Sequence, residues 1–154
     1  MVGAMDLVLP DPASTLAFGR QCAADCRPGD VLALCGGLGA GKTHFVKGLA
    51  EGLGCPVEAT SPTFTLVHES FGGRLPLFHF DFYRLDTEDD LLRLGWDEYL
   101  ESDGVVAAEW ADRFPALMPP QTRWIEFRPR PGGGRVAVFS PSPPSSPAPA
   151  NPAS

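Results

Sequence analysis

Gly36-Gly37-Leu38-Gly39-Ala40-Gly41-Lys42-Thr43 is the stretch that decides the fold of this chain. The octet satisfies G-x-x-x-x-G-K-[ST] in full, and its flanks supply the context that pattern needs. Before it, Asp30-Val31-Leu32-Ala33-Leu34-Cys35 is a short apolar run of the kind that forms a buried strand. After it, Lys42 to Leu53 places Phe45, Val46, Leu49 and Leu53 on one helical side, and Gly54 supplies a stop. Strand, glycine-rich turn and helix in that order make a phosphate cradle. The glycines let successive N–H groups point inward, and the helix start aims its positive dipole end at the same oxygens. Lys42 brings a full charge to the β- and γ-phosphates, and Thr43 offers a hydroxyl to magnesium. Gly37, Leu38, Gly39, Ala40, Gly41, Lys42 and Thr43 are therefore the expected nucleotide-binding residues, with ATP and Mg2+ as the expected ligands. Guanine-specific members of the wider class use an Asn-Lys-x-Asp motif; the single asparagine here is Asn151 in the C-terminal tail, so adenine is favoured by elimination.

Working outward, strand and helix patterns alternate. Ser14 to Arg27 reads as a helix using Leu16, Ala17, Ala23 and Ala24, stopped by Pro28-Gly29. Thr63 to Glu69 and Leu75 to Phe82 read as strands joined by a Gly72-Gly73 turn. Thr87 and Asp90 have the spacing of a reciprocal cap before a helix that uses Leu91, Leu92 and Leu94. Gly104 to Ala108 is an apolar strand ending at Glu109-Trp110, and Trp124 to Phe127 and Arg135 to Phe139 are late, antiparallel strands. The expected fold is α/β and P-loop NTPase-like, with a largely parallel core sheet flanked by helices and added antiparallel strands. Residues 1–139 form one domain. The tail from Ser140 to Ser154 holds six of the 17 prolines and no charged side chain, a composition expected to be disordered.

The bulk numbers narrow the function. A net charge of -7 and only two lysines, Lys42 and Lys47, argue against a protein that grips DNA or RNA alone. Cys22, Cys26, Cys35 and Cys55 form no C-x-x-C pair and read as reduced thiols of a cytoplasmic protein. The N-terminus shows no basic segment followed by an apolar run, and no stretch approaches the ~18 apolar residues of a membrane span.

Magnesium on a threonine and phosphates usually gains a carboxylate. Asp81 and Glu109 each end an apolar strand, where ligands collect in open α/β sheets. Arg84 pairs with an acid or faces phosphate. Ser61-Pro62-Thr63-Phe64-Thr65 reads equally as a γ-phosphate sensor or as an ordinary turn into a strand. The chemistry these residues support is transfer of the γ-phosphoryl group to water, with Asp81 or Thr63 orienting that water. Two rivals stay open: a small-molecule kinase on the same loop, and a nucleotide-gated interaction module without significant turnover.

The ordered set GGLGAGKTHF, SPTFTLV, HFDFYRL and AEW resembles the bacterial TsaE (YjeE) family of small ATPases, over about Pro10 to Phe139. The resemblance implies ATP bound and slowly hydrolysed in a complex with TsaD and TsaB during threonylcarbamoyladenosine modification of tRNA, which the partners would carry. It implies that Lys42 contacts phosphate, that Thr43 and Glu109 hold magnesium, and that Asp81 and Thr63 belong to the active site with Trp110 beside them. The segment Ser14-Thr15-Leu16-Ala17-Phe18-Gly19 resembles the family's opening near the adenine, which brings Asp11 and Thr15 into the expected nucleotide site. One departure stands out: the family usually has an acid or amide where this chain has Gly37.

Overall fold

The computed structural model of the chain describes residues 5–37, 41–56 and 66–144, with Met5 described in its backbone alone. Thr63 and loop residues Leu38, Gly39 and Ala40 lie outside the described residues, as do residues 145–154 of the tail. Among the described residues seven strands form one sheet: β1 (Met5–Leu9), β2 (Val31–Cys35), β3 (Val67–Ser70), β4 (Leu77–Asp81), β5 (Val105–Glu109), β6 (Arg123–Pro129) and β7 (Arg135–Ser140). Four α-helices of the described residues join them: α1 (Pro12–Asp25), α2 (Lys42–Leu53), α3 (Glu88–Arg93) and α4 (Trp96–Glu101). The strand order is β1-β7-β6-β2-β5-β4-β3. β6, β2, β5 and β4 run parallel, while β1, β7 and β3 add antiparallel edges. The mixed sheet is the one expected, with one refinement: β6 pairs antiparallel with β7 and parallel with β2.

The centre is apolar on both faces because both are covered. Every residue of β2 and β5 is buried, as parallel strands between helical layers require. Alternation sorts their side chains: Leu32, Leu34, Val105 and Ala107 join Phe45, Leu49 and Leu53 of α2, while Val31, Ala33, Val106 and Ala108 join Phe80, Phe82, Leu91 and Trp96.

The α1–α2 pair approaches through glycines. A Cβ at Gly48 would overlap the Leu16 carbonyl oxygen, and one at Gly19 would overlap the Phe45 carbonyl oxygen. The buried side of α1 is therefore Thr15, Phe18, Gly19 and Ala23, whereas Ala24 is exposed. Of the expected Leu16, Ala17, Ala23 and Ala24 face, Ala23 is buried, Leu16 and Ala17 are half-buried and Ala24 is exposed. Helix α1 also starts earlier than expected, because Asp11 caps it by accepting from the Ser14 N–H at 2.8 Å, with Pro12 at the first helical position. The capping box of Thr87 and Asp90 is present as expected, but that helix stops at Arg93. Gly95, at φ 95°, turns the chain before α4 begins. β7 ends at Ser140, one residue beyond the composition boundary.

Candidate functional site

At the carboxyl ends of the parallel strands lies a cavity of about 440 Å³, a size that suits a small ligand. β2 ends at Cys35, after which Gly36 takes φ 129° and Gly41 takes φ 101°, left-handed conformations that glycine adopts without a Cβ penalty. Gly41 is the N-cap of α2 and brings no side-chain oxygen to it. Thr15 packs on this turn, its Cγ2 lying 3.6 Å from where a Gly41 Cβ would sit.

Lys42, first residue of α2, is only 5% exposed. Its Nζ donates to the Gly36 carbonyl at 2.5 Å and to the Gly37 carbonyl at 3.3 Å. It also lies 3.8 Å from the centre of the Trp110 ring, a cation–π contact. Burial pulls the lysine pKa below its ordinary value, and the Glu109 carboxylate opposes that pull.

Trp110 is held in place by the backbone. Among the described residues it is the only non-glycine at positive φ (61°), a conformation that costs ~1–2 kcal/mol. Its N–H donates to the Leu34 carbonyl at 2.8 Å, and Tyr83 packs against its ring at 4.9 Å. Arg113 bridges to the Phe82 and Tyr83 carbonyls at 3.0 and 2.6 Å, tying the turns after β4 and β5 together.

The two acids are level. Asp81 and Glu109 are paired residues in the β4–β5 ladder, and Leu34 pairs with Glu109 on the other side. Glu109 is 5% exposed and its Oε2 lies 2.6 Å from His79 Nε2, also buried. Asp81 accepts from the Tyr83 N–H at 3.0 Å. Burial raises its carboxyl pKa, that N–H lowers it, and the nearby Glu109 raises it further.

The cavity thus brings together Gly41, Lys42, Thr43, Asp81, Glu109, Asp11 and Thr15 from the expected set. Asp11 stands at the rim, its carboxylate occupied by the Ser14 N–H and hydroxyl, which hold its pKa below the usual range. Gly37 follows as an exposed loop residue. Arg84 ends the 3-10 turn after β4 and is exposed. Sequence reasoning missed seven lining residues, Leu9, Pro10, Pro12, His44, Tyr83, Gly134 and Arg135, and the His79 beneath Glu109. Gly134 and Arg135 arrive only because β1 pairs with β7, setting Leu9 opposite Arg135. His79 carried a signal, a polar residue inside an aromatic strand.

A family model described as threonylcarbamoyl adenosine biosynthesis protein TsaE matches residues 9–135. The chain is 47% identical over 118 residues to the tRNA threonylcarbamoyladenosine biosynthesis protein TsaE of Bacillus subtilis (strain 168), covering 77% of this chain and 73% of that protein. It is 42% identical over 117 residues to the protein of the same name from Synechocystis, covering 73% and 74%. The crystal structure of Bacillus subtilis YdiB superposes with a TM-score of 0.78 at 37% identity, covering 90% of this chain and 86% of that one. With a family model across the cavity-forming segments and relatives at this identity and coverage, the chain belongs to the TsaE family, with a role in tRNA threonylcarbamoyladenosine biosynthesis.

Proposed function

We propose that this chain binds Mg-ATP in the cavity above β2 and hydrolyses it slowly, as a cytoplasmic subunit working with TsaD and TsaB, which carry the tRNA. One observation carries the reading: a buried ammonium stands at the glycine loop, with two carboxylates level at the next two strand ends. An ammonium held by carbonyls and an indole face is placed to exchange those partners for phosphate oxygens.

Glu109 and the Thr43 hydroxyl would hold magnesium. Magnesium is commonly held by one or two protein ligands together with substrate phosphates. When bound, magnesium neutralises charge on the β- and γ-phosphate oxygens. The chain's own residues do the rest. Lys42 follows the charge that develops on the transferred group, and the loop amides fix the polyphosphate. Asp81 or Thr63 orients the water. A bond forms from water oxygen to the γ-phosphorus, the bond to the bridging oxygen breaks, and ADP leaves with that oxygen. Asp81, its pKa raised by burial, is suited to take the water's proton. Asp11 and Thr15, which line the same cavity, would contact the nucleoside end.

Calorimetric titration with Mg-ATP and Mg-ADP, followed by phosphate release with and without TsaD and TsaB, tests the reading. Binding that Lys42→Ala abolishes, with phosphate release that the partners stimulate, is the expected result. Absence of saturation at millimolar nucleotide would overturn it.

A further inference from the structure

Residues 86–103, which contain α3 and α4, carry eight carboxylates and a single cation, Arg93. That net charge equals the -7 of the whole chain, since the remaining residues balance eleven acids against eleven bases. The chain's excess charge is therefore concentrated in the α3–α4 segment, where every acid but the half-buried Asp90 is exposed.

The same segment lines an apolar groove of about 520 Å³, between the β3–β4 hairpin and the α3–α4 turn. Phe71, 56% exposed, and Leu92, 39% exposed, line it; they are two of the three large apolar side chains that stand exposed among the described residues. The floor is packed: Phe78 meets Phe71 edge-on at 6.0 Å and Tyr99 at 4.9 Å. Glu69, which accepts from the Tyr99 hydroxyl, Glu98 and the segment's one cation, Arg93, rim the groove. β3 is the last strand of the sheet, so this groove also borders an edge.

We propose that the Phe71–Leu92 groove is the docking face for a protein partner that presents a basic surface around an apolar side chain. An exposed apolar patch rimmed by charge is the usual anatomy of such a contact. The net sign of the α3–α4 segment beside the groove selects the occupant. A second copy would bring the same negative face against this one, and a nucleic acid would be repelled. A cationic protein gains on both counts, its apolar anchor entering the groove while its charges meet α3 and α4. The proposal rests on the reading above, in which the chain works as a subunit.

The test measures affinity of the full chain for the purified TsaD–TsaB complex at low and high salt. One variant combines Phe71→Ser with Leu92→Ser; a second combines Glu98→Lys with Glu101→Lys. Each should weaken binding about tenfold or more, the unaltered chain should bind less tightly at high salt, and Mg-ATP affinity should not change in either variant. Full-affinity binding by both variants would overturn the docking face alone. No binding by the unaltered chain would overturn the subunit reading and this one together. A concentration-dependent dimer of the unaltered chain that Phe71→Ser/Leu92→Ser dissolves would assign the groove to a second copy instead.

Discussion

His79 Nε2 lies 2.6 Å from Glu109 Oε2, and both side chains are almost wholly buried. In the β4–β5 ladder His79 is opposite Ala107, so the two meet on the diagonal, on the face that carries α2. The contact fixes one carboxylate oxygen of a side chain that belongs to a cavity-lining residue. This makes His79 a positioning residue for Glu109.

His79→Ala should remove that support and leave a buried carboxylate short of a partner, at a cost of about 1–3 kcal/mol in stability. The specific readout is the magnesium dependence of phosphate release: half-saturation should move to higher Mg2+ while Mg-free nucleotide affinity holds. A variant that only loosened the fold would shift both alike. His79→Gln, which keeps a donor, should recover part of the loss.

Asp81→Asn should separate stability from function. Burial raises the Asp81 pKa above its ordinary 3.8, so between that value and the folded pKa the folded chain binds more protons than the unfolded one. The Asp81 contribution to stability is therefore lost as pH rises through that window. Asparagine keeps an acceptor for the Tyr83 N–H without the charge. The melting temperature of Asp81→Asn should exceed that of the parent at pH 7, the gap should vanish below pH 3.8, and phosphate release should fall.

The glycines between α1 and α2 make a sharp stability prediction. Gly48→Ala drives a methyl into the Leu16 carbonyl oxygen, a backbone atom that cannot swing away, and overpacking of this kind costs about 1–3 kcal/mol. Gly37 has no described atom within 4 Å of where its Cβ would sit, so Gly37→Ala should leave the melting temperature unchanged. Denaturant melts of the two variants side by side check the contrast.

Local chemistry was legible in the residues, and pairing over distance was not. The phosphate loop, the β3–β4 hairpin and the Thr87/Asp90 box are written in contiguous motifs. β1 is not: a five-residue edge strand containing Asp6, it becomes a strand only by pairing with β7 at the other end of the chain. The His79–Glu109 pair needs β4 and β5 to be neighbours, which a sequence separation of thirty does not announce. Leu92 misled in the opposite direction. Its spacing from Leu91 and Leu94 suits one helix, yet the turn at Gly95 ends that helix and gives the core position to Trp96.

Trp110 should report nucleotide entry optically. In the structure its ring carries the Lys42 ammonium on one contact and the Tyr83 ring on another. The other two tryptophans lie elsewhere, Trp96 donating its indole N–H to the Leu117 carbonyl and Trp124 buried on β6. Phosphate entering the loop draws Lys42 away from the indole, so Mg-ATP should change tryptophan emission, and inorganic phosphate alone should do so only weakly. Trp110→Phe keeps an aromatic face over the lysine, a weaker cation–π partner by a few tenths to ~1 kcal/mol. It should abolish the optical response while calorimetry still detects binding. An unchanged emission response in Trp110→Phe would show that the signal, and the movement of Lys42 inferred from it, arise at another indole.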